Sequence, residues 1–167
     1  VRLFSLQGSL NSISSNNINT LFLSGETLWV GTPAGLDRVN TKTMTVERYA
    51  GAQWLSMVGI YSVAKIVSFK QGTPMNGFWM ATIGGLVYYD ENMGSFQDII
   101  HPDIFGRYVA DLYDDSQGNI WLSVPQTGGL IHFNTTNFYL MYGFTDPELD
   151  FEHIVNSSTD PHSISGN

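Results

Sequence analysis

The stretch that decides the fold is residues 28–38, which recurs twice in altered form. It reads Leu28-Trp29-Val30-Gly31-Thr32-Pro33-Ala34-Gly35-Leu36-Asp37-Arg38. A second copy runs from Phe78 to Asp90, and a third runs from Ile120 to Asn134 with two extra residues before its Gly-Leu pair. The tryptophans of the three copies, Trp29, Trp79 and Trp121, lie 50 and 42 residues apart. Self-similarity at such a period is typical of a repeat array.

Each copy predicts two short strands joined by a tight turn. The apolar run around the tryptophan gives one strand, and the Gly-Leu pair opens the next. Glycine suits such a corner because, without a Cβ, it adopts a positive φ without a steric clash. The tryptophan is the large apolar residue expected to anchor one sheet on the next. The predicted structural core of the repeat therefore comprises Trp29, Trp79, Trp121, Gly35, Gly85, Gly129, Leu36, Leu86 and Leu130.

The flanking sequence completes four short strands per unit, which predicts an antiparallel meander. Units of this kind are typical of β-propeller blades, so the predicted fold class is all-β. A solenoid is the structural alternative, although its repeats usually carry one or two strands. The predicted blades cover residues 14–50, 58–100 and 105–144, with 1–10 as the tail of a preceding blade and 159–167 as the start of a following one.

The end of the third unit is predicted less fully than the rest. A last strand is expected from Phe138 to Tyr142. The segment from Phe144 to Ser158 could be an irregular loop or begin with a short helical turn.

About three blades make a partial propeller, because a closed one needs about four to eight. Such a fragment leaves two open faces of apolar surface and an exposed edge strand, and both features invite pairing. We therefore expect self-association, as a homodimer or higher, most simply as a twofold pair that combines the blades of two copies.

The composition excludes several classes of function. Seven Lys and Arg residues against 15 Asp and Glu give a formal net charge of −8, so the chain lacks electrostatic attraction for phosphate backbones or anionic membranes. We expect no nucleic-acid partner and no direct membrane insertion by this segment. No apolar run approaches the roughly 18 to 20 residues of a membrane helix. The absence of cysteine excludes disulfides, thiolate catalysis and zinc–thiolate sites.

No residue pattern predicts a metal site, a cofactor or a catalytic centre. The four histidines match no local metal-ligand spacing: His101, His132, His153 and His162. Residues 114–119 lack the glutamate and the ligand alternation of a calcium loop and predict a hairpin turn instead. Glycoside hydrolysis needs two carboxyl groups that face one bond, but the adjacent Asp114 and Asp115 would point to opposite faces of a strand.

Aromatic residues outside the repeated positions are the candidates for ligand binding. Trp54 does not recur and lies in the connector from Gly51 to Gly59, while Arg107 and Tyr108 lie in the corresponding connector of the third unit. Connectors of this kind often rim one mouth of a propeller, and binding residues gather on loops that a rigid scaffold positions. Flat aromatic faces pack against sugar rings. The alternative is that Trp54 covers the edge between two blades.

The repeat resembles a known family. The pattern Ser-x-Asn-x-Ile, strand, turn, Leu-Trp-Val-Gly-Thr, turn, Gly-Leu-Asp-Arg, turn and a strand with an aromatic end is similar to the two-component regulator propeller repeat. The first unit, Ser14 to Tyr49, is close to it throughout. The second unit departs at Ala81 and Ile83. The third has Ser123 in place of glycine and an insertion at Pro125 to Thr127, but keeps the Asp-x-x-Gly-Asn-x-Trp hairpin.

This resemblance implies a ligand-sensing, extracytoplasmic propeller fragment of a hybrid two-component sensor of Bacteroidetes. In that family two propellers and a small immunoglobulin-like domain precede the membrane helix, and the known ligands are mostly oligosaccharides. The resemblance thus implies a periplasmic, non-catalytic segment of a parent chain anchored in the inner membrane. Any histidine kinase would lie elsewhere in that parent, and the initial Val1 leads us to expect a processed product or an excised piece.

Two other functions stay open at this point. One is a propeller scaffold that binds another protein through its surface. The other, more distant, is a propeller lyase or hydrolase.

Overall fold

A computed structural model of the chain describes residues 11–49, 63–68, 77–135, 151–161 and 163–164. Every regular element in these residues is a β-strand. The strands form three four-stranded antiparallel sheets, which confirms the prediction of an all-β partial propeller. Within these ranges no helix has the length and apolar character needed to cross a membrane.

Sheet 1 contains the first copy of the repeat. Its strands are β1 (Thr20–Ser24), β2 (Thr27–Thr32), β3 (Gly35–Asn40) and β4 (Val46–Tyr49). They pair in chain order, since short turns can join only neighbouring antiparallel strands. Trp29 on β2 lies between Phe22 on β1 and Arg38 on β3.

Sheets 2 and 3 follow the same order. Sheet 2 has β5 (Val63–Ser68), β6 (Gly77–Thr82), β7 (Gly85–Asp90) and β8 (Ser95–Asp98). Sheet 3 has β9 (Asp111–Asp114), β10 (Asn119–Ser123), β11 (Leu130–Asn134) and β12 (Glu152–Ile154).

The fourth strand of sheet 3 differs from the sequence prediction. The segment expected to supply it, Phe138 to Tyr142, lies outside the described residues. In the structure β12 pairs with that edge of β11, with His153 opposite Ile131, so the third unit extends beyond residue 144. A strand of three residues that reads Glu-His-Ile has too little alternation for a sequence pattern to reveal it.

The turns between the second and third strands of sheets 1 and 2 are built alike. Thr32 Oγ1 donates a hydrogen bond to the Gly35 carbonyl at 3.0 Å and accepts one from the Ala34 amide at 3.1 Å. Thr82 makes the equivalent two bonds in sheet 2, at 2.8 and 3.1 Å. Gly35 and Gly85 have φ angles of 131° and 136°, a region that residues with a Cβ rarely adopt.

The corresponding turn of sheet 3 has a different construction. Val124 stands where the other two sheets have threonine, and the inserted Thr127 donates its hydroxyl to the Val124 carbonyl at 3.0 Å. Gly128 and Gly129 have φ angles of 69° and 74°. In this turn Thr127 therefore supplies the hydroxyl-to-carbonyl bond, and both glycines have a positive φ.

Sheets 1 and 2 meet through aromatic side chains. The ring of Trp29 lies 4.9 Å from the ring of Phe78 and 4.9 Å from that of Tyr89, both in sheet 2. Phe22 adds a contact with Phe78 at 5.2 Å. Tilted and edge-on aromatic pairs at such distances contribute about 0.5–1.5 kcal/mol each beyond the area they bury.

Sheets 2 and 3 enclose a larger core. Trp79 is fully buried, and its ring lies 5.6 Å from that of Phe133 in an edge-on arrangement. Leu112 of β9 and Ile104 of the preceding connector pack into the same cluster. Sheet 2 is thus covered on both faces, which explains why its strand β6 is apolar without alternation.

Trp121 occupies the same strand position in sheet 3, but no described sheet covers it. Side chains alternate along β10, so Ile120 and Leu122 face sheet 2 and Trp121 faces away from it. Trp121 is partly buried. Its ring stacks on that of His132 at 4.3 Å, and its Nε1 lies 3.5 Å from the Asp115 carboxylate.

Candidate functional site

The candidate binding site lies where the connector before β9 meets the turns of sheets 2 and 3. We call it the connector rim and define it as residues 101–109 with the turns 82–85 and 124–129. The Gly106 amide donates to the Gly84 carbonyl at 2.8 Å, and the Val109 amide donates to the Thr82 carbonyl at 2.9 Å. These two backbone bonds fix the connector to the β6–β7 turn.

The connector itself is a compact structure rather than an open loop. The His101 carbonyl accepts the amides of Ile104 and Phe105 at 3.0 and 2.8 Å, and the Ile104 carbonyl accepts the Arg107 amide at 3.1 Å. The side chain of Ile104 is fully buried between sheets 2 and 3. The side chains next to it in sequence are therefore presented from a rigid base.

Arg107 and Tyr108, both predicted as site residues, lie on this rim. The Arg107 side chain is partly buried, and its Nε donates to the Pro102 carbonyl at 3.1 Å. Tyr108 is 38% exposed. With the Gln126 side-chain amide assigned so that its nitrogen donates to the Tyr108 carbonyl and its oxygen accepts from the Tyr108 amide, both at 3.2 Å, this side chain ties Tyr108 to the β10–β11 turn. The third predicted residue, Trp54, lies outside the described residues.

Two further residues of the rim were not found from the sequence. Ile83, at the tip of the β6–β7 turn, is 49% exposed. Its departure from the repeat pattern was the signal in the sequence, but it did not indicate a binding role. Gln126 belongs to the insertion in the third copy of the repeat. Its pairing with Tyr108 could not be predicted, because it depends on how the β10–β11 turn meets the connector. The rim thus presents an aromatic ring, an aliphatic side chain and a guanidinium group.

The titratable side chains His101 and Asp103 belong to the rim. Burial lowers the pKa of His101, an effect that Asp103 opposes and His153 reinforces. The His101 ring stacks on Phe151 at 4.2 Å, and its Nδ1 lies 4.0 Å from an Asp103 carboxylate oxygen. Throughout the described ranges, no group of three His, Cys, Asp or Glu residues is arranged to hold a metal ion.

The carboxylate of Asp115 is used within its own turn. It accepts hydrogen bonds from the amides of Gln117 and Asn119 at 2.8 and 3.1 Å and from the Asn119 side chain at 2.5 Å. Although desolvation works in the opposite direction, these bonds hold the pKa of Asp115 below its ordinary value. Residues 114–119 therefore form the β9–β10 hairpin turn, and this carboxylate holds the turn together.

A depression lies on sheet 1, apart from the connector rim. Its volume is about 290 Å³, and it is lined by Thr27, Arg38, Asn40, Thr45, Val46 and Glu47. Arg38 on β3 and Glu47 on β4 are directly paired, and Arg38 Nη1 lies 3.5 Å from Glu47 Oε2. The Arg38 guanidinium also lies 5.9 Å from the centre of the Trp29 ring. The lining is polar, but both charged groups already have partners.

Comparison with solved structures shows which proteins share this fold. The chain is similar to an extracellular domain described as that of the hybrid two component system BT3049 from B. thetaiotaomicron, with a TM-score of 0.66 and 20% identity over 90% of this chain and 20% of that one. It is also similar to the extracellular domain of BT4673 from the same organism, described as a hybrid two component system, with a TM-score of 0.57 and 18% identity over 90% of this chain and 24% of that one.

A second structure of the BT4673 domain, described as a one component system, matches with a TM-score of 0.53 and 18% identity over 98% of this chain and 25% of that one. The chain spans about a fifth to a quarter of the length of these structures. No protein-family model matches the chain, and no curated protein does. The chain therefore has the fold of extracellular domains of two-component systems, the class of protein whose propeller repeat its sequence resembles.

Proposed function

We propose that this chain is a ligand-sensing, extracytoplasmic propeller fragment of a hybrid two-component sensor, and that it responds to an oligosaccharide without catalysing a reaction. The shared fold with extracellular domains of two-component systems supports the sensing role and a periplasmic location, with a parent chain anchored in the inner membrane. The acidic composition, with a net charge of −8, suits a neutral ligand better than an anionic one.

The side chains that the connector rim presents are the observation that supports an oligosaccharide as the ligand. The Tyr108 ring is partly exposed and offers a flat apolar face on which a sugar ring can lie, and Ile83 adds an exposed aliphatic side chain on the turn to which the connector is bonded. The Arg107 guanidinium has donors beyond the one bonded to Pro102, and these can reach sugar hydroxyls. Because backbone bonds and Gln126 already hold the connector in place, binding costs little ordering entropy.

The test is isothermal titration of the chain, and of its full-length parent, with a panel of plant and host oligosaccharides. We expect saturable binding to at least one of them. The variant Tyr108→Ala should weaken it about tenfold, which corresponds to about 1.4 kcal/mol. Tyr113→Ala is the matched control, since Tyr113 is also an exposed tyrosine but lies on a sheet face away from the rim. No heat with any glycan from a well-folded protein would contradict the oligosaccharide ligand.

A second candidate function is a scaffold that binds another protein. The observation in its favour is the exposure of Leu21 and Leu23 on β1, at 60% and 61%. Exposed leucines on one strand face are typical of surfaces that contact a protein. The same titration separates the two functions, because a scaffold would give no heat with glycans.

A further inference from the structure

The depression on sheet 1 is separate from the connector rim and takes no part in the binding proposed for that rim. Its volume of about 290 Å³ is close to the lower end of the roughly 300–1,000 Å³ typical of small-molecule sites. Its described lining combines one cationic side chain, Arg38, with one anionic side chain, Glu47, and the polar side chains of Thr27, Asn40 and Thr45. The lining therefore offers hydrogen-bond donors and acceptors without a net charge.

The depression belongs to the face of sheet 1 that carries Trp29. Strand register places Arg38 opposite Trp29 and Glu47 opposite Arg38, so the three side chains lie on one face of the sheet. That face packs on sheet 2, as the face of Trp79 packs on sheet 3. The depression is thus on the side of sheet 1 that already has its neighbouring sheet, whereas a preceding unit would meet the opposite side.

The equivalent position in sheet 2 carries a tyrosine instead of an arginine. Tyr88 pairs with Trp79 as Arg38 pairs with Trp29. Tyr88 is fully buried, whereas 47% of the Arg38 side chain is exposed. The repeat therefore has a buried ring in one sheet and an accessible guanidinium group in the other.

The tyrosine ring occupies in sheet 2 the space that is open in sheet 1. Gly77 begins β6 as Thr27 begins β2. A Cβ added at Gly77 would lie 2.7 Å from the Tyr88 hydroxyl oxygen and 2.9 Å from its Cζ, so the ring extends to the start of that strand. In sheet 1 the residues at the same places, Arg38 and Thr27, line the depression. The depression therefore results from the particular residues of this sheet.

Arg38 and Glu47 are placed to bind hydroxyl groups. Arg38 Nη1 lies 3.5 Å from Glu47 Oε2, which is longer than the usual about 2.7–2.9 Å of a charge-assisted hydrogen bond. Each side chain also shares a hydrogen bond with Tyr49. A guanidinium group has five N–H donors and a carboxylate about four acceptor sites, so both retain capacity for a ligand. A hydroxyl group donates and accepts, whereas Glu47 would repel an anion and Arg38 a cation.

Hydrogen bonds within the adjoining turns hold the wall of the depression in place. Asn40 Oδ1 accepts the amides of Lys42 and Thr43 at 3.0 and 2.9 Å. The Thr41 amide donates to the Glu26 carbonyl at 2.8 Å, which joins the β3–β4 turn to the β1–β2 turn. A ligand would therefore meet a preformed site and bind with a small loss of conformational entropy.

We propose that this depression is a second ligand site, which binds a neutral polyhydroxylated molecule of the size of a single sugar ring. The Arg38 guanidinium donates to hydroxyl oxygens of the ligand, and the Glu47 carboxylate accepts from its hydroxyl groups. A free monosaccharide and the terminal ring of a longer saccharide share this chemistry. The site is independent of the connector rim, so its test does not depend on the ligand proposed there.

The test is an NMR titration of the isotope-labelled chain with glucose, galactose and mannose, followed by the disaccharides maltose and lactose. We expect saturable shifts of the Trp29 indole N–H signal, because the Arg38 guanidinium lies 5.9 Å from the centre of the Trp29 ring. The amide signals of β3 and β4 should shift with it. Tighter binding of a disaccharide than of its component sugars would identify the terminal ring of a longer saccharide as the ligand, and the reverse order would identify a free monosaccharide.

Two substitutions that introduce the residues of sheet 2 test the roles of the charged pair. Arg38→Tyr introduces the equivalent of Tyr88 and should fill the depression, so that the shifts disappear. Glu47→Gln introduces the equivalent of Gln97 and should weaken binding about tenfold, because hydrogen bonds to a charged acceptor are stronger than those to a neutral one. Lys42→Gln is the control, since it removes a charge from the exposed β3–β4 turn outside the lining. The dispersion of the amide signals checks that each variant is folded.

Several outcomes would overturn the proposal. One is the absence of shifts at Trp29 with all of these sugars, and another is shifts confined to residues 106–109 of the connector rim. Equal binding by the wild-type chain and a folded Glu47→Gln variant would also contradict it. Shifts with sodium sulfate in place of the sugars would show that Arg38 selects an anion, which is incompatible with a neutral ligand.

Discussion

The two faces of sheet 3 contain the same kind of side-chain pair in different surroundings. On the inner face His101 stacks on Phe151 with 4.2 Å between ring centres, and on the outer face His132 stacks on Trp121 with 4.3 Å. Sheet 2 closes the inner face, whereas no described sheet covers the outer one. The comparison teaches that the repeat fixes the direction in which a side chain points, while the neighbouring sheet decides what its burial contributes to stability.

The largest expected difference is between the two tryptophans. Trp79→Ala should lower the free energy of unfolding by about 3–5 kcal/mol, the range for removing a buried large aromatic side chain. Trp121→Ala should cost about 1 kcal/mol, which is average for a point substitution. Urea unfolding at low protein concentration measures both without a contribution from association. Equal losses would show that the outer face is as well covered as the inner one.

The neighbours Leu112 and Tyr113 give a second contrast on one strand. Leu112→Ala should cost about 2–5 kcal/mol because the side chain is 1% exposed in the core. Tyr113→Ala should stay within about 0.5 kcal/mol in the monomer, because the side chain is 62% exposed. The same unfolding experiment checks both values. A large loss for Tyr113→Ala in a dilute sample would contradict the open outer face.

Gly129 tests how firmly β12 is attached to sheet 3, on which both faces depend. A Cβ at this position would lie 2.3 Å from the Ile154 carbonyl oxygen, and the φ angle is 74°. Gly129→Ala should therefore cost more than about 2 kcal/mol, because backbone strain adds to the clash. Gly25→Ala is the matched control, with a positive φ and no atom within 4 Å, and should cost about 1 kcal/mol. Similar losses in urea unfolding would mean that β11 and β12 separate easily.

The smallest effect is expected from pH. Burial lowers the pKa of His101 below 6.5, its ordinary value. The unfolded chain then binds this proton more readily than the folded chain, so the free energy of unfolding should fall as the pH drops through about 6.5. The fall should stop below the pKa of the folded state. His101→Gln should reduce the difference in unfolding free energy between about pH 7.5 and about pH 5.5. An unchanged difference would show that other titratable groups cause the pH dependence.

The sequence predicted the sheets because the signals that define them are local. Trp29 and Trp79 mark the second strands, and Gly35 and Gly85 mark the turns where a positive φ is required. A repeated pattern of this kind is visible without any knowledge of contacts. Strand β12 was not predicted, because it is held by backbone pairing with β11 and by Phe151, and neither leaves a periodic pattern in sequence.

The candidate site was only partly accessible to sequence reasoning. Arg107 and Tyr108 could be singled out because they lie in a connector outside the repeated core. The roles of Ile83 and Gln126 could not, because they depend on the approach of the β6–β7 and β10–β11 turns to that connector. The sequence also assigned Trp121 to the core with the other tryptophans, and only the arrangement of the sheets distinguishes it from them.

The contact between Ser14 and Asp37 has a consequence for where such a protein can be cut and joined. The Ser14 amide donates to the Asp37 carboxylate at 2.7 Å, and Ile13 packs on the same sheet. A transferable cassette therefore begins with these residues, upstream of the first strand of its own sheet. The pair Ser163-Ile164 repeats Ser12-Ile13. A further sheet grafted onto this protein is best joined just before Ser163. It then carries the residues equivalent to Ser12 and Ile13 that pack on its own face.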